Sequence, residues 1–312
     1  MQLMLIASYM RGIPANNRNP EKPEIINNFV VGVNRHGTDR GVVCYDNAPI
    51  NCDVAVLQGY VHERSESSPH LRLRKAVLDH QALQNKRTII VDSNLFLYKD
   101  PGNTKRFLRY SYDGVFPTTG EYCNDKWQEA RWEKLRTHLG IELQPYKGTK
   151  GKYILICAQR DGGWSMGGKK VVDWVLEILP QIKKYSNRPV MLRFHPGDGN
   201  WRNHYKRLIK SGIILSRSKT LMDDLAVASA VVTYNSSPGV AAAIEGLPVF
   251  VTDPIPQQSQ AFGVANTSLA QIETPREFDR EEWIRKLAMT HWTQEDLRSG
   301  ECWAWMRQWA TK

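Results

Sequence analysis

The sequence lacks a long apolar run, and its first residues are expected to form a strand and not a signal peptide. No segment approaches the roughly 20 apolar residues that span a bilayer. The short apolar run at residues 3–7 has no basic segment before it and no small-residue cleavage site after it. The cysteines are few and odd in number, five in all, and their spacing does not match a metal site. We therefore expect a protein of the reducing cytoplasm without a membrane span.

Acidic residues are also scarce relative to basic ones. The chain has 32 Asp and Glu against 42 Lys and Arg, which gives a formal charge of +10. This excess favours a polyanionic partner such as double-stranded DNA or an acidic polymer. The basic residues are dispersed and not gathered in a tail, which indicates a broad electropositive face. A generally basic surface without a specific role is the alternative.

The length and the order of predicted elements indicate two α/β domains. A chain of 312 residues suits two domains of about 150 residues each. Short apolar strands alternate with helices throughout, which predicts parallel sheets with right-handed crossovers. We place the boundary near residue 150, in the Pro- and Gly-containing stretch 144–151, giving domains 1–150 and 151–312. The last helix is predicted over residues 293–310.

The second half is organised around residues 230–253. An apolar run ends at Ser236 and Ser237, Pro238 and Gly239 follow, and a small-residue segment leads to a second apolar run. This pattern predicts strand, turn, helix, strand. A serine that caps the helix and a proline in its first turn leave backbone amides free for a phosphate. An ordinary capped helix is the alternative reading.

Two further strand ends are expected at the same edge of the sheet. Arg193 and His195 end one predicted strand, and another, residues 153–158, runs into a glycine-rich loop with Arg160 and Trp164. The loop matches neither the Walker A motif nor the dinucleotide fingerprint. Parallel strands deliver their carboxyl ends to one edge, so these groups and the two serines are expected to share a crevice.

The motifs together resemble the nucleotide-sugar half of GT-B glycosyltransferases. RFHP at residues 193–196, YNSS at 234–237 and EGLPV at 245–249 are similar to the capsular polysaccharide Kdo transferase type and to motifs of some bacterial sialyltransferases. The resemblance covers residues 152–253 and implies two Rossmann-like domains facing each other across a cleft. It further implies that the last helix packs back on the first domain. It also implies that the histidine and the serines bind the donor's nucleotide and phosphate. The donor-binding residues are predicted to be Arg160, Gly162, Gly163, Arg193, His195, Ser236, Ser237, Gly239 and Glu245.

The first half departs from that resemblance. The acidic catalytic motif of the sialyltransferases has no match, and Asp113-Gly114 is a poor substitute, so the sugar and the acceptor do not transfer with the fold. Sugar transfer needs a base for the acceptor hydroxyl. The candidates are Asp92 and Glu63, which follow predicted strands, and His36 as a third; either carboxylate could instead form a loop ion pair.

Acceptor contacts are predicted for residues of the strand-end loops and the glycine loop. These are Arg11, His62, Asn94 and Trp164. No Asp-X-Asp motif stands in a suitable place, because Asp223-Asp224 lies in a predicted helix. We therefore expect no essential metal or cofactor, and a UDP- or CMP-sugar as the donor substrate.

Charge and fold together set the order of the functional hypotheses. The first is transfer of a sugar to hydroxymethylated bases of DNA, as some bacteriophage enzymes of this fold do, in a host cytoplasm. Such an enzyme must extrude its base, and Trp164 and Arg11 are candidates to fill the gap. The second is a Kdo-like or other sugar transferase of surface polysaccharide synthesis. The third is a non-catalytic protein that binds nucleotides or nucleic acid.

Overall fold

The computed structural model describes residues 3–16, 18, 21–61, 68–161 and 164–311. The chain forms two compact units, and neither is one continuous stretch. Unit 1 comprises Met1–Asn94, Gly102–Trp132 and Lys286–Lys312, and unit 2 comprises Leu95–Pro101 and Glu133–Arg285. The single boundary expected at residue 150 is thus replaced by several crossings. Residues 133–150 belong to unit 2, where the Gln144 and Lys147 amides donate to carbonyls of Ile244 and Gly246.

The secondary structure alternates strands and helices, as the sequence predicts. The strands are β1 Leu5–Tyr9, β2 Arg40–Cys44, β3 Val54–Gln58, β4 Arg87–Asp92, β5 Leu108–Tyr112, β6 Tyr153–Cys157, β7 Val190–Arg193, β8 Ile214–Leu215, β9 Ala228–Thr233, β10 Val249–Val251 and β11 His291–Trp292. The helices are α1 Glu21–His36, α2 Pro69–Leu83, α3 Glu129–Leu139, α4 Val171–Tyr185, α5 Tyr205–Lys210, α6 Leu221–Leu225, α7 Pro238–Ile244, α8 Glu281–Ala288, α9 Gln294–Ser299 and α10 Glu301–Met306.

Unit 1 is built on a six-stranded sheet with the order β11-β5-β4-β3-β1-β2. Strands β1 to β4 are parallel, β5 is antiparallel to β4, and β11 is antiparallel to β5. The inner strands are buried on both faces; β3 reads Val54-Ala55-Val56-Leu57 with no exposed position. Such continuous apolar strands are typical of a parallel sheet covered by helices on both sides.

Tryptophans of the terminal segment complete the core of unit 1. Trp292, Trp303, Trp305 and Trp309 are all buried there with Phe29. The segment is not the single helix that the sequence predicts over residues 293–310. It breaks at Gly300, whose φ of 89° places it in the left-handed region and ends α9.

Unit 2 is a five-stranded parallel sheet with the order β10-β9-β6-β7-β8. Successive connections run outward from β6 to β7 and β8, and then the chain returns to the other side of β6 to form β9 and β10. The strand order therefore reverses between β6 and β9. In open α/β sheets, ligands bind at the carboxyl ends of strands flanking such a reversal, so the fold directs attention to the loops after these two strands.

Two other general findings concern the described part of the chain. None of its helices combines the length and apolar character needed to cross a membrane. All five cysteines are buried and free.

Candidate functional site

The loops that follow β6 and β9 are joined by hydrogen bonds at the reversal point. The Asn235 amide N–H donates to Gln159 Oε1 at 3.1 Å, and Asn235 Nδ2 donates to the Ser165 carbonyl at 2.9 Å and to Asp253 Oδ2 at 2.6 Å. Gln159 Nε2 in turn donates to Ser165 Oγ at 2.7 Å. Three loops are thus held in fixed positions around one edge of the sheet.

Ser236 presents an unsatisfied polar atom at this edge. Its Oγ is buried and has no hydrogen-bond partner among the residues that the structure describes. An unpaired buried hydroxyl is unfavourable, by about 1–3 kcal/mol in mutational data. A ligand oxygen that accepted its hydrogen bond would remove this cost, so Ser236 is the strongest single indicator of a ligand here.

The neighbouring positions play different parts from those expected. Ser237 is exposed and stands at the N-cap of α7, but its side chain makes no capping hydrogen bond there, contrary to the expected serine cap. Gly239 is buried, and an added Cβ would lie 3.3 Å from Val249 Cγ1 and 3.4 Å from Ala261 Cβ. This glycine therefore lets α7 pack closely on the sheet.

His195 and Arg160 meet at the same edge. An added Cβ at Gly197 would lie 2.9 Å from Arg160 Nη2 and 3.3 Å from His195 Nδ1, so both side chains adjoin this turn. The Gly197 amide N–H donates to His195 Nδ1 at 3.0 Å. Since Nδ1 accepts, the proton of a neutral ring sits on Nε2.

Burial lowers the pKa of His195, the charge of Arg160 lowers it further, and Asp198 opposes both. A lowered pKa favours the neutral ring at neutral pH. His195 can thus donate one hydrogen bond from Nε2, while Arg160 supplies positive charge beside it. The pair suits an anionic oxygen better than it suits a proton acceptor.

Two residues predicted to bind the donor, Arg193 and Glu245, form ion pairs with other side chains of unit 2. Arg193 Nη1 donates to Asp224 Oδ2 at 2.7 Å and to the Thr220 carbonyl at 3.0 Å, and Asp224 is fully buried. Glu245 follows the carboxyl end of α7, at the opposite edge of the sheet from Ser236, and Lys99 Nζ lies 3.0 Å from its Oε1. Glu245 therefore does not share an edge with Ser236, and the contacts of Arg193 hold its side chain within unit 2.

The helix that follows the glycine-rich loop has its first amide already paired. Asp161 Oδ1 accepts from the Val171 amide at the start of α4, at 3.0 Å. A carboxylate already occupies this helix terminus, which disfavours a phosphate there. Gly162, Gly163 and the Trp164 side chain lie outside the described residues.

In unit 1, Asp92 ends β4 and pairs with Arg109 of β5. Arg109 Nη2 lies 2.5 Å from Asp92 Oδ2, and the two side chains are 7 % and 24 % exposed. Asn94 is buried and donates to Asn103 Oδ1 at 3.1 Å, whereas Arg11 is exposed and donates to the Tyr45 carbonyl at 3.3 Å. The expected loop ion pair of Asp92 is therefore present, which does not by itself exclude a role as base.

The remaining catalytic and acceptor candidates of unit 1 are His36, His62 and Glu63. His36 is the last residue of α1, the helix that starts beyond the carboxyl end of β1, so it lies at the opposite edge of the sheet from Asp92. We withdraw it as a base. His62 and Glu63 lie outside the described residues.

Sequence reasoning missed Gln159, Asn235 and Asp253 as organisers of the site. Burial raises the pKa of Asp253, and hydrogen bonds from the Ile255 amide and from Asn235 partly offset the rise. The sequence signal that could have identified these three residues is their position directly after apolar strands. Within the described ranges, no group of three or more His, Cys, Asp and Glu side chains is arranged to hold a metal ion.

Comparison with solved structures identifies the fold as GT-B, an arrangement of two Rossmann-like units. The chain is similar to Thermosulfurimonas dismutans KpsC, described as a beta Kdo 2,7 transferase, with 14 % identity, a TM-score of 0.54 and coverage of 95 % of this chain and 98 % of that one. It is also similar to a KpsC structure from the same organism described as a beta Kdo 2,4 transferase. There the identity is 13 %, the TM-score is 0.51, and 93 % and 91 % of the two chains are covered. No protein-family model and no curated protein matches the sequence.

Proposed function

We propose that this protein is a glycosyltransferase whose unit 2 binds a nucleotide-sugar donor at the reversal point between β6 and β9. The observation that carries the proposal is the buried Ser236 Oγ, which lacks a partner among the described residues and lies at the same sheet edge as His195 and Arg160. Its placement in a GT-B fold supports the choice of a nucleotide-sugar.

Each group has a definite part in this proposal. Ser236 Oγ and His195 Nε2 donate hydrogen bonds to phosphate oxygens of the donor, and Arg160 balances their charge. These contacts also stabilise the phosphate as the sugar leaves, because negative charge accumulates on it during transfer. UDP- and CMP-sugars both remain candidates. For the base that takes the acceptor proton, Asp92 is the described candidate and Glu63 the alternative.

For the acceptor, we propose a sugar chain of surface polysaccharide synthesis. The two similar structures named above are described as Kdo transferases, and the formal charge of +10 suits an acidic glycan. Hydroxymethylated DNA, the first expectation from charge, gains no support from the fold comparison. Hydroxymethylated DNA is therefore tested as an alternative acceptor in the transfer assay.

The decisive test is thermal stabilisation by CMP, UDP, GDP and their sugar conjugates. We expect one nucleotide family to raise the melting temperature, and Ser236→Ala and His195→Ala each to weaken its binding by about tenfold, the equivalent of one lost hydrogen bond to a charged group. His204→Ala is the control, since His204 is an exposed histidine of the same unit. A wild-type protein that responds to none of the nucleotides would overturn the proposal.

Transfer assays then separate the acceptors and the non-catalytic alternative. The donor would be offered with an acidic oligosaccharide, with hydroxymethylated duplex DNA, or alone. Transfer to the oligosaccharide is the expected result, and transfer to DNA alone would replace the acceptor. Binding with neither transfer nor donor hydrolysis would indicate a nucleotide-binding protein without enzymatic activity.

A further inference from the structure

Unit 1 contains a cavity at the carboxyl edge of its sheet. Its volume is about 710 Å³. The wall is formed by the segment after β1, the segment after β2 and the start of α2, and it includes Arg11, Tyr45, His70 and Arg72. Most of the remaining lining is apolar, so the cavity combines an apolar surface with three basic side chains, which suits an organic ligand that carries an anionic group.

Behind this wall lies a buried arginine. Arg74 is only 7 % exposed, and its Nε donates to the Gly12 carbonyl at 2.8 Å and its Nη1 to the Tyr60 carbonyl at 3.3 Å. Its head group also lies against Gly59, where an added Cβ would fall 2.6 Å from Nη1. Within the described ranges, no carboxylate forms an ion pair with Arg74.

Lys22 and His70 both interact electrostatically with Arg74. Burial lowers the pKa of Lys22, and the charge of Arg74 lowers it further. Burial also lowers the pKa of His70, with smaller contributions from Arg74 and Lys22. Burial is the main cause of both shifts and the charge of Arg74 the second, so Arg74 and Lys22 make this region electropositive, whereas the lowered pKa favours the neutral ring of His70.

The carboxylates at the start of α1 are engaged on another side. Glu24 pairs with Arg106 at 2.8 Å, and Glu21 Oε1 accepts from Asn103 Nδ2 at 3.3 Å. A buried guanidinium without a counter-charge is costly. Clefts with charge of one sign concentrate ions of the opposite sign.

We propose that this cavity binds an oxyanion, a carboxylate or a phosphate, carried by the acceptor. Arg11 and His70 contact the anion at the wall, and Arg74 and Lys22 supply a positive field from behind. The assignment of the anion to the acceptor rests on the proposed function, since the donor is assigned to unit 2. It makes acidity of the acceptor a requirement for binding.

The test measures binding of small anions without any nucleotide. The probes are free Kdo, its uncharged methyl ester and inorganic phosphate, titrated calorimetrically at low salt. We expect an anion to bind, the ester to bind at least tenfold more weakly than the acid, and the double variant Arg11→Gln/His70→Gln to lose at least tenfold in affinity. Phosphate binding without Kdo binding would assign the site to a phosphate, and the reverse would assign it to a carboxylate.

Lys75→Gln is the matched control. Lys75 lies on α2, as His70 does, is half-exposed and pairs with Asp79. Its substitution therefore removes one positive charge at a position outside the cavity lining. If Lys75→Gln weakens anion binding as much as the double variant does, or if neither anion binds the wild type, the proposed site is wrong. Arg74→Met is a second probe: anions should raise the melting temperature of the wild type but not of this variant.

The outcome is separable from that of the donor site. Nucleotides should stabilise the Arg11→Gln/His70→Gln protein as much as the wild type. Anion binding in a protein that ignores all nucleotides would leave the cavity assigned and remove the donor proposal. Nucleotide binding without anion binding would support the donor proposal and remove the cavity assignment.

Discussion

His291 is a buried imidazole whose protonation the fold opposes. It is 0 % exposed in β11, and burial, followed by the charge of Arg109, lowers its pKa to about 3. A hydrogen bond to the Leu287 carbonyl works in the other direction, and Arg131 adds to the lowering. The folded protein therefore holds this ring neutral at pH values where a histidine in an unfolded chain is charged.

This difference predicts acid sensitivity of unit 1. The unfolded histidine binds a proton near pH 6.5 and the folded one only near pH 3, so the contribution to stability is complete above pH 6.5 and is lost as the pH falls. Between these values the free energy of unfolding should drop by about 1.4 kcal/mol per pH unit from this group. Urea unfolding of wild type and His291→Gln at pH 7, 6, 5 and 4 measures the slope; equal slopes would contradict the prediction.

Single residues also show where the sequence could and could not predict the candidate site. His195 and Ser236 were assigned correctly to the carboxyl ends of parallel strands, because strand direction alone places them there. Arg193 also ends its strand, but its pairing with Asp224, 31 positions further along the chain, was not predicted. Which basic side chain finds a buried carboxylate depends on packing that periodicity does not encode.

At the scale of elements, α1 and α9 cross at two glycines. A Cβ on Gly32 would lie 1.8 Å from the Leu297 carbonyl oxygen and 3.1 Å from Gly300 Cα. Neither backbone can move away easily, because Gly32 lies inside α1 and Gly300 has a φ of 89°. The close approach of the two helices thus depends on the absence of a side chain.

Gly32→Ala should therefore destabilise unit 1. Alanine is favoured over glycine in a helix by about 1 kcal/mol, but the clash with backbone atoms outweighs this gain, and we expect a net loss of about 2 kcal/mol or more. The shift of the urea midpoint measures it. Val31→Ala is the control, since Val31 is 43 % exposed on the same helix and should cost less than about 1 kcal/mol. A stabilised Gly32→Ala protein would show that the helices separate freely.

Long elements were predictable and short ones were not. The apolar positions of α4 repeat with the period of a helix over four turns, which makes this helix predictable from its sequence. Strand β11 has only two residues and no readable alternation.

At the scale of the whole chain, the segment Lys286–Lys312 belongs to unit 1 although it follows all of unit 2. It supplies β11, the edge strand beside β5, and buries four tryptophans in the core of unit 1. It also supplies Arg307, whose Nε lies 2.6 Å from the fully buried Asp39 carboxylate. Alternation of strands and helices predicted two α/β domains. Alternation alone does not show that the end of the chain completes the sheet and the core of unit 1.

Removal of residues 286–312 should therefore unfold unit 1 and spare unit 2. Burial of a single tryptophan contributes about 3–5 kcal/mol, so loss of four matches or exceeds the roughly 5–15 kcal/mol of a typical domain. Asp39 would in addition remain buried without its arginine. Unit 2 keeps its own core around Ile156, Trp174 and Val232.

Hydrogen exchange of the truncated chain distinguishes the two units. Amides of β1, β3 and β4 should exchange fully within seconds, whereas those of β6, β7 and β9 should keep the protection they have in the intact chain. Persistent protection of β3 and β4 would show that the terminal segment is dispensable for the first core. Equal loss in both sheets would show that unit 2 depends on unit 1 for its stability, because unit 2 itself loses no residue in this truncation.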